Sequence, residues 1–182
     1  LHVVTHSFPT RRSSDRFLDA VSPLVDVRAF VRQAAVENFL ADNDGLLGYA
    51  GMNNFYLYRS SSTRLSTFIP WDKSEAFKSG PFHPVVYNID DIPDFLRNRL
   101  MAGAMTVQEI RDLYFDTLLT CAAFADTDEW LAQEIRREYE QIHQAALDDP
   151  VKPFTNEDFE SEVQKLLEFA RVRTSAVTQD VL

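Results

Sequence analysis

Cysteines, metal-ligand histidines and long apolar runs are scarce in this chain of 182 residues. Cys121 is the single cysteine, so an internal disulfide and a cysteine-based metal cluster are both excluded. No apolar run approaches the roughly 18 residues of a membrane-spanning helix, so no membrane span is predicted. His83 and His143 have no second histidine or cysteine at ligand spacing, which argues against a zinc site.

Acidic side chains outnumber basic ones, and the excess lies in one part of the chain. The formal net charge is −10. Residues 1–100 carry 11 acidic and 11 basic side chains, whereas residues 101–182 carry 17 acidic and 7 basic ones. An acidic half repels polyanions, so we predict no nucleic-acid partner and interpret the excess charge as a solvated surface. Aromatic residues make up 12% of the chain, which is typical of one packed domain.

A helix is predicted first, between Asp26 and Leu40. Asp26 is a good N-cap, and the turn-rich string ADNDG follows Leu40. Glu37 is predicted on the solvent-facing side of this helix. The apolar residues that recur at helical spacing are Val27, Phe30, Val31, Ala34 and Ala35.

The second half of the chain is predicted to be helical. A short helix is expected over residues 90–101, and a T-x-x-E capping box from Thr106 to Glu109 predicts a helix to about Phe124. Another helix is expected to begin at Asp126 or Thr127, and Thr155 is predicted to cap the last one. Near the expected end of that last helix lie Arg171 and Arg173. They are explained either as phosphate contacts or as cations placed favourably at a helix C-terminus.

Two aromatic and β-branched strings between these helical regions predict a β-hairpin. They are NNFYLYR (residues 53–59) and RLSTFIPW (residues 64–71), and SSST joins them. Pro70 is expected to end the second strand. The predicted fold class is therefore α+β and mainly helical, with a hairpin followed by three to four packed helices.

Polar residues stand at the ends of this predicted hairpin: Asp44, Asn53, Asn54 and Asp72. One interpretation is structural, because Asp and Asn bond to nearby backbone in turns and Gly45 would take a left-handed conformation. The other is chemical, because two carboxylates and an Asn amide oxygen suit Mg²⁺, which shares its oxygen ligands with substrate phosphates. Phosphoryl transfer to a hydroxyl uses one Asp as the base, with an Asn and a second Asp as metal ligands.

The same strings resemble the spore coat protein CotH kinase family. The resemblance covers about residues 20–182. It is carried by NNFYLYR followed by FIPWD, with NDG upstream, and by NRLM, IRDLYFDTLL and FARVRTSAV downstream. Members of that family are similar to atypical protein kinases that use ATP and Mg²⁺ to phosphorylate Ser in coat or surface proteins. The resemblance implies a kinase-like C-lobe and an extracytoplasmic, cell-surface or spore-coat location.

Residue roles follow from the resemblance by position. Asp44 corresponds to the catalytic-loop Asp. Asn54, or Asn53 beside it, corresponds to the Asn that binds metal and cofactor, and Asp72 corresponds to the metal Asp of the P-W-D element. The family string P-W-D-x-D has Ser74 in place of its second Asp, with Glu75 one residue further on. A gly-rich loop and a strand-borne Lys are missing upstream of Asp44, so the N-lobe of a kinase is expected to be absent from this sequence.

Two other functions stay open from the sequence. A non-catalytic kinase-like scaffold or binding module is supported by Ser74, and a Mg²⁺-dependent phosphoester hydrolase would use the same carboxylates. Residues 1–15 read differently from the rest, because the string HSFPTRRSSD resembles one translated frame of a common sequencing adapter. We therefore expect residues 1–15 to be an artefact or a disordered tail, and residues 16–182 to be the kinase-like portion.

Overall fold

A computed structural model describes residues 13–48, 51–85 and 97–182. Within these residues the chain forms six α-helices and one two-stranded antiparallel hairpin. The helices are α1 (Ser13–Val21), α2 (Val27–Phe39), α3 (Arg99–Met105), α4 (Gln108–Asp126), α5 (Trp130–Asp148) and α6 (Asn156–Val181), and the strands are β1 (Phe55–Arg59) and β2 (Ser66–Pro70). The prediction of a mainly helical α+β fold, with a hairpin ahead of four helices, is confirmed. No helix among the described residues combines the length and the apolar character needed to cross a bilayer.

The first predicted helix is confirmed as α2. Asp26 caps it, since its Oδ1 accepts the Ala29 N–H at 2.9 Å, and Leu40 follows its last residue. The helix packs mainly on α4 and also touches β2. The prediction that Glu37 faces solvent is wrong, because the structure buries this residue. The buried apolar face consists of Val27, Phe30, Val31, Ala34, Ala35 and Phe39.

The hairpin lies against α2 through one of its two faces. Its register places Phe55 opposite Pro70, and the turn between the strands covers the predicted SSST string. The ring centroid of Phe68 lies 5.0 Å from the ring centroid of Phe55 and 5.0 Å from that of Phe30 on α2. These aromatic contacts hold the hairpin on α2, the helix that precedes the loop containing Asp44.

The centre of the core is α4, which packs on α2, α5 and α6. Its buried residues recur at helical spacing and include Ile110, Tyr114 and Leu118. The last helix begins as predicted, with a capping box in which Thr155 and Asp158 bond reciprocally to each other's backbone. Its partner α5 lies along α6, where Glu160 of α6 accepts a hydrogen bond from Tyr139 of α5 at 2.9 Å.

Two helix starts differ from their predictions. Thr106 does not cap α4, because its hydroxyl donates to the carbonyl of Gly103 at 2.7 Å and ends α3 instead. The helix predicted from Asp126 or Thr127 begins at Trp130. Asp128 and Glu129 have positive φ angles of 51° and 53°, and this left-handed backbone separates α4 from α5.

The helix predicted over residues 90–101 falls partly outside the described residues. The described part shows α3, which Asn98 caps by accepting the Met101 N–H at 2.9 Å. The Asn98 side chain also donates to the carbonyl of Leu46 at 2.9 Å, so this cap lies against the loop that follows α2.

Arg173 of α6 is fully buried and binds the end of α2. Its guanidinium donates to the carbonyls of Phe39 and Asn38 at 2.7 and 2.6 Å, and to those of Pro81 and His83 at 2.9 and 2.6 Å. Burial lowers its pKa to about 10, although Asp180 and Tyr114 oppose that shift. For Arg173, neither explanation suggested by the sequence holds, because α6 continues to Val181 and the guanidinium is buried in the core.

Replacing Arg173 with Met should lower the free energy of unfolding by at least about 3 kcal/mol, because buried carbonyl oxygens would lose their donors. Urea unfolding would measure the change. The matched control is Arg171→Met, two residues away, where an exposed guanidinium pairs with Glu168. That control should change the free energy of unfolding by less than about 0.5 kcal/mol. Equal losses in the two variants would contradict a special role for Arg173.

His83 should make stability depend on pH. Burial and, to a lesser degree, the Arg173 charge lower the pKa of His83 below its usual range. The unfolded chain therefore binds the proton more readily, and stability should fall as pH drops below about 6.5. His83→Gln should flatten this fall in urea-unfolding curves measured between about pH 5.5 and about pH 7.5. A slope that is unchanged in the variant would show that His83 is not its source.

Candidate functional site

Asp44 lies in the loop that follows α2, which we call the Asp44 loop. The carboxylate of Asp42 shapes its backbone. Asp42 Oδ1 accepts the Asp44 N–H at 3.0 Å, so Asp42 forms the turn. Gly45 is not the left-handed residue that the sequence predicts, because Ala41 takes that conformation with φ of 51°. A Cβ on Gly45 would lie 2.5 Å from Glu37 Oε2 and 2.8 Å from Asp42 Oδ2, so glycine is required by close approach. The Asp44 carboxylate is left for other partners.

Two asparagine amides hold the Asp44 carboxylate. Asn53 Nδ2 donates to Asp44 Oδ1 at 2.9 Å, and Asn54 Nδ2 donates to Asp44 Oδ2 at 2.9 Å. Strand alternation would place the two amides on opposite faces, but both precede β1 and Asn54 has a left-handed φ of 51°. The break in extended backbone therefore lets both amides reach one carboxylate and fix its orientation.

Asp72 lies at the same end of the hairpin. The Trp71 N–H donates to the Asn54 carbonyl at 2.9 Å, which continues the β1–β2 pairing one residue beyond Pro70. Asp72 follows with a left-handed φ of 43°, is exposed, and accepts the Ser74 N–H at 3.3 Å. The structure thus brings Asp44, Asn53 and Asn54 into direct contact, whereas Asp72 follows Trp71, the residue that pairs with Asn54, and its carboxylate bonds to the Ser74 N–H.

Asn54 and Asp72 at this end of the hairpin carry oxygen atoms of the type that a hard cation binds. Asn54 donates through Nδ2, so its Oδ1 is outside the bond to Asp44. Nowhere in the described ranges do three or more His, Cys, Asp or Glu side chains gather as a metal-binding group. A Mg²⁺ ion would therefore use few protein ligands, Asn54 and Asp72 foremost, and would complete its shell with waters or phosphates, as this ion commonly does.

A buried ion cluster that the sequence interpretation missed lies beneath the Asp44 loop. Lys73 Nζ lies 2.8 Å from Glu37 Oε1 and 3.0 Å from Asp42 Oδ2. Both acidic residues are only 5% exposed. Burial alone would lower the pKa of Lys73, but hydrogen bonds and the negative charges of Glu37 and Asp42 outweigh burial and raise it. The sequence signal for this burial was the spacing of Glu37, which lies seven residues after Phe30 and therefore on the same apolar face of α2.

Ser74 and Glu75 follow Lys73 and do not add a second carboxylate to the Asp44 group. Ser74 is exposed and donates its N–H to Asp72. The Glu75 carboxylate forms an ion pair with Lys78, and the Glu75 carbonyl accepts the Asn43 N–H at 3.4 Å. Glu75 is therefore engaged by its own loop.

Comparison with known proteins identifies the family. The family described as "CotH kinase protein" matches residues 4–177. The chain belongs to the CotH kinase protein family. The match includes the Asp44 loop, the hairpin, α3, α4, α5 and α6 as far as residue 177.

One curated relative is similar over most of this chain. The inner spore coat protein H of Bacillus subtilis (strain 168) is 28% identical over 163 residues, which cover 87% of this chain and 42% of that protein. The chain thus spans less than half the length of this relative. The family match begins at residue 4 and so includes most of the segment interpreted as adapter-derived, for which that interpretation stays a prediction.

Proposed function

We propose that this CotH family chain is the C-terminal, kinase-like lobe of an ATP- and Mg²⁺-dependent protein serine kinase. The observation that supports this most directly is the Asp44 carboxylate, which two asparagine amides hold at the hairpin end that also carries Asp72. A base fixed in orientation beside oxygen ligands for a cation is what phosphoryl transfer to a hydroxyl requires.

Each residue has a separate role in this proposal. Asp44 orients the acceptor serine hydroxyl and takes its proton as the oxygen attacks the terminal phosphate of ATP, and the bond between that phosphate and ADP breaks so that ADP leaves. Asn53 and Asn54 keep the Asp44 carboxylate in place through their Nδ2 atoms. Asn54 Oδ1 and Asp72 would hold Mg²⁺, which supplies positive charge to the phosphates when bound.

The acceptor class and location are proposed from the comparison. The similar Bacillus protein is described as an inner spore coat protein. We therefore propose that the acceptor is a serine of a coat or surface protein and that the enzyme works in an extracytoplasmic spore-coat or cell-surface layer. Complementary charge would favour acceptors that are not strongly acidic, because the formal net charge of this chain is −10.

A non-catalytic scaffold for coat assembly is the second candidate. It is favoured by Ser74, which stands where the family string has its second carboxylate, and by the Lys78 ion pair that engages Glu75. In a scaffold, the hydrogen bonds from Asn53 and Asn54 to Asp44 would only stabilise the loop, and the protein would not transfer phosphate.

Substitutions of the two site carboxylates should separate these candidates. In the full-length protein, Asp72→Asn should abolish Mg²⁺-dependent transfer from labelled ATP. Asp44→Ala should lower turnover by about 10²–10⁴-fold while ATP binding survives, because only the base is removed. Asp116→Asn, an exposed carboxylate on α4, is the matched control and should transfer at the wild-type rate. Labelling that persists in both site variants would exclude the proposed roles.

Restoring the second carboxylate gives an independent test. Ser74→Asp should tighten Mg²⁺ binding and raise transfer, because the exposed position adds an oxygen ligand two residues from Asp72. Ser74→Asn is the control, because Asn has the same size as Asp but carries no charge. Titration calorimetry with Mg²⁺ and nucleotide would measure the affinity. An Asp variant that binds Mg²⁺ no more tightly than the Asn variant would show that this position does not face the cation.

A further inference from the structure

We infer that Lys73 is a positioning residue for Asp44, joining the segment that carries Asp72 to the loop that carries the proposed base. Its catalytic meaning rests on the proposed function, whereas its structural effect can be measured independently. Lys73 lies directly between Asp72 and Ser74 in the chain, and its ammonium reaches under the Asp44 loop.

The first step is the contact between Lys73 and two buried carboxylates. One ammonium lies within 3.0 Å of both Glu37 and Asp42, and its own side chain is 30% exposed. The two acidic residues come from α2 and from the turn after it. A single cation therefore bridges like charges that would otherwise repel each other in a poorly solvated place.

The second step is what the remaining oxygens of those carboxylates hold. Glu37 Oε2 accepts the Leu46 N–H at 2.7 Å, and Asp42 Oδ1 accepts the Asp44 N–H at 3.0 Å. The backbone is thus fixed at Asp44 itself and two residues later. Gly45 between them lies so close to both carboxylates that a Cβ would not fit.

The third step connects this cluster to the other half of the site. Asn54 binds Asp44 through its side chain and Trp71 through its carbonyl, so it links the Asp44 loop to the segment that carries Asp72. Lys73 links the same loop and segment a second time, through the buried carboxylates of Glu37 and Asp42. With both links present, Asp44 has a fixed position relative to Asp72. Without the ammonium, Glu37 and Asp42 would repel each other and move apart, and the Leu46 and Asp44 amides would lose their acceptors.

Amide hydrogen exchange measured by NMR tests the positioning directly. Lys73→Met keeps an unbranched side chain that is one heavy atom shorter and removes its charge, so exchange at the Asp44 and Leu46 amides should quicken by about tenfold or more. Amides in the buried stretches of α4 and α6 should keep their protection. Lys73→Arg should restore slow exchange, and the control Lys165→Met, which removes an exposed ion pair with Glu162, should change neither loop amide.

Transfer kinetics give the functional arm. Lys73→Met should lower kcat by about tenfold and leave the KM for ATP within about twofold, because a displaced base slows chemistry rather than nucleotide binding. A raised KM with unchanged kcat and unchanged loop exchange would overturn the inference and assign Lys73 to the nucleotide instead. If the wild-type protein transfers no phosphate, the proposed function fails, and the exchange arm still decides the role of Lys73.

A second variant covers a failure to fold. Should Lys73→Met not fold, the Lys73→Gln variant removes the positive charge and keeps a neutral amide donor facing the two carboxylates. The inference expects faster exchange at the Asp44 and Leu46 amides in that variant also. Wild-type exchange at both amides in either folded variant, or faster exchange spread evenly through α4 and α6, would overturn it.

Discussion

The buried guanidinium of Arg173 is the interaction on which the site's placement depends. It donates to the last carbonyls of α2 and to carbonyls of the loop that follows the hairpin, so one side chain of α6 fixes both segments. The end of α2 in turn determines where the Asp44 loop begins. The Leu40 carbonyl accepts the Phe77 N–H at 2.7 Å, which ties the loop after Asp72 to the same helix end. A charge far along the chain therefore sets the geometry of the hairpin site.

Within the site, four carboxylates have four different environments. Asp42 forms the turn and Glu37 supports it from α2, and one Lys73 ammonium pairs with both carboxylates. Asp44 is held by amides, which orient it without cancelling its charge. Asp72 is exposed. Lys73 therefore offsets part of the negative charge next to the loop, while amide groups rather than a cation orient Asp44.

Membership of the CotH kinase protein family and the site geometry bear on function in different ways. The family match gives a relationship, and the Bacillus relative is itself described as an inner spore coat protein. The chemistry has to come from the residues, because related folds host both catalysts and scaffolds. Ser74 is the residue of this chain that weighs against transfer, and the fixed Asp44 carboxylate weighs for it.

The sequence alone determined several features that depend on local chemistry, although Thr106, which has a similar capping pattern, does not cap α4. Asp26 and Thr155 cap their helices as predicted, and the aromatic strings form the hairpin, because these signals act within a few residues. Tertiary structure decided the rest. Glu37 is buried because Lys73 reaches it from the far side of the hairpin, and the partner of Arg173 at Phe39 lies 134 residues away. Pairings between distant residues follow from how the helices pack, and no local pattern encodes them.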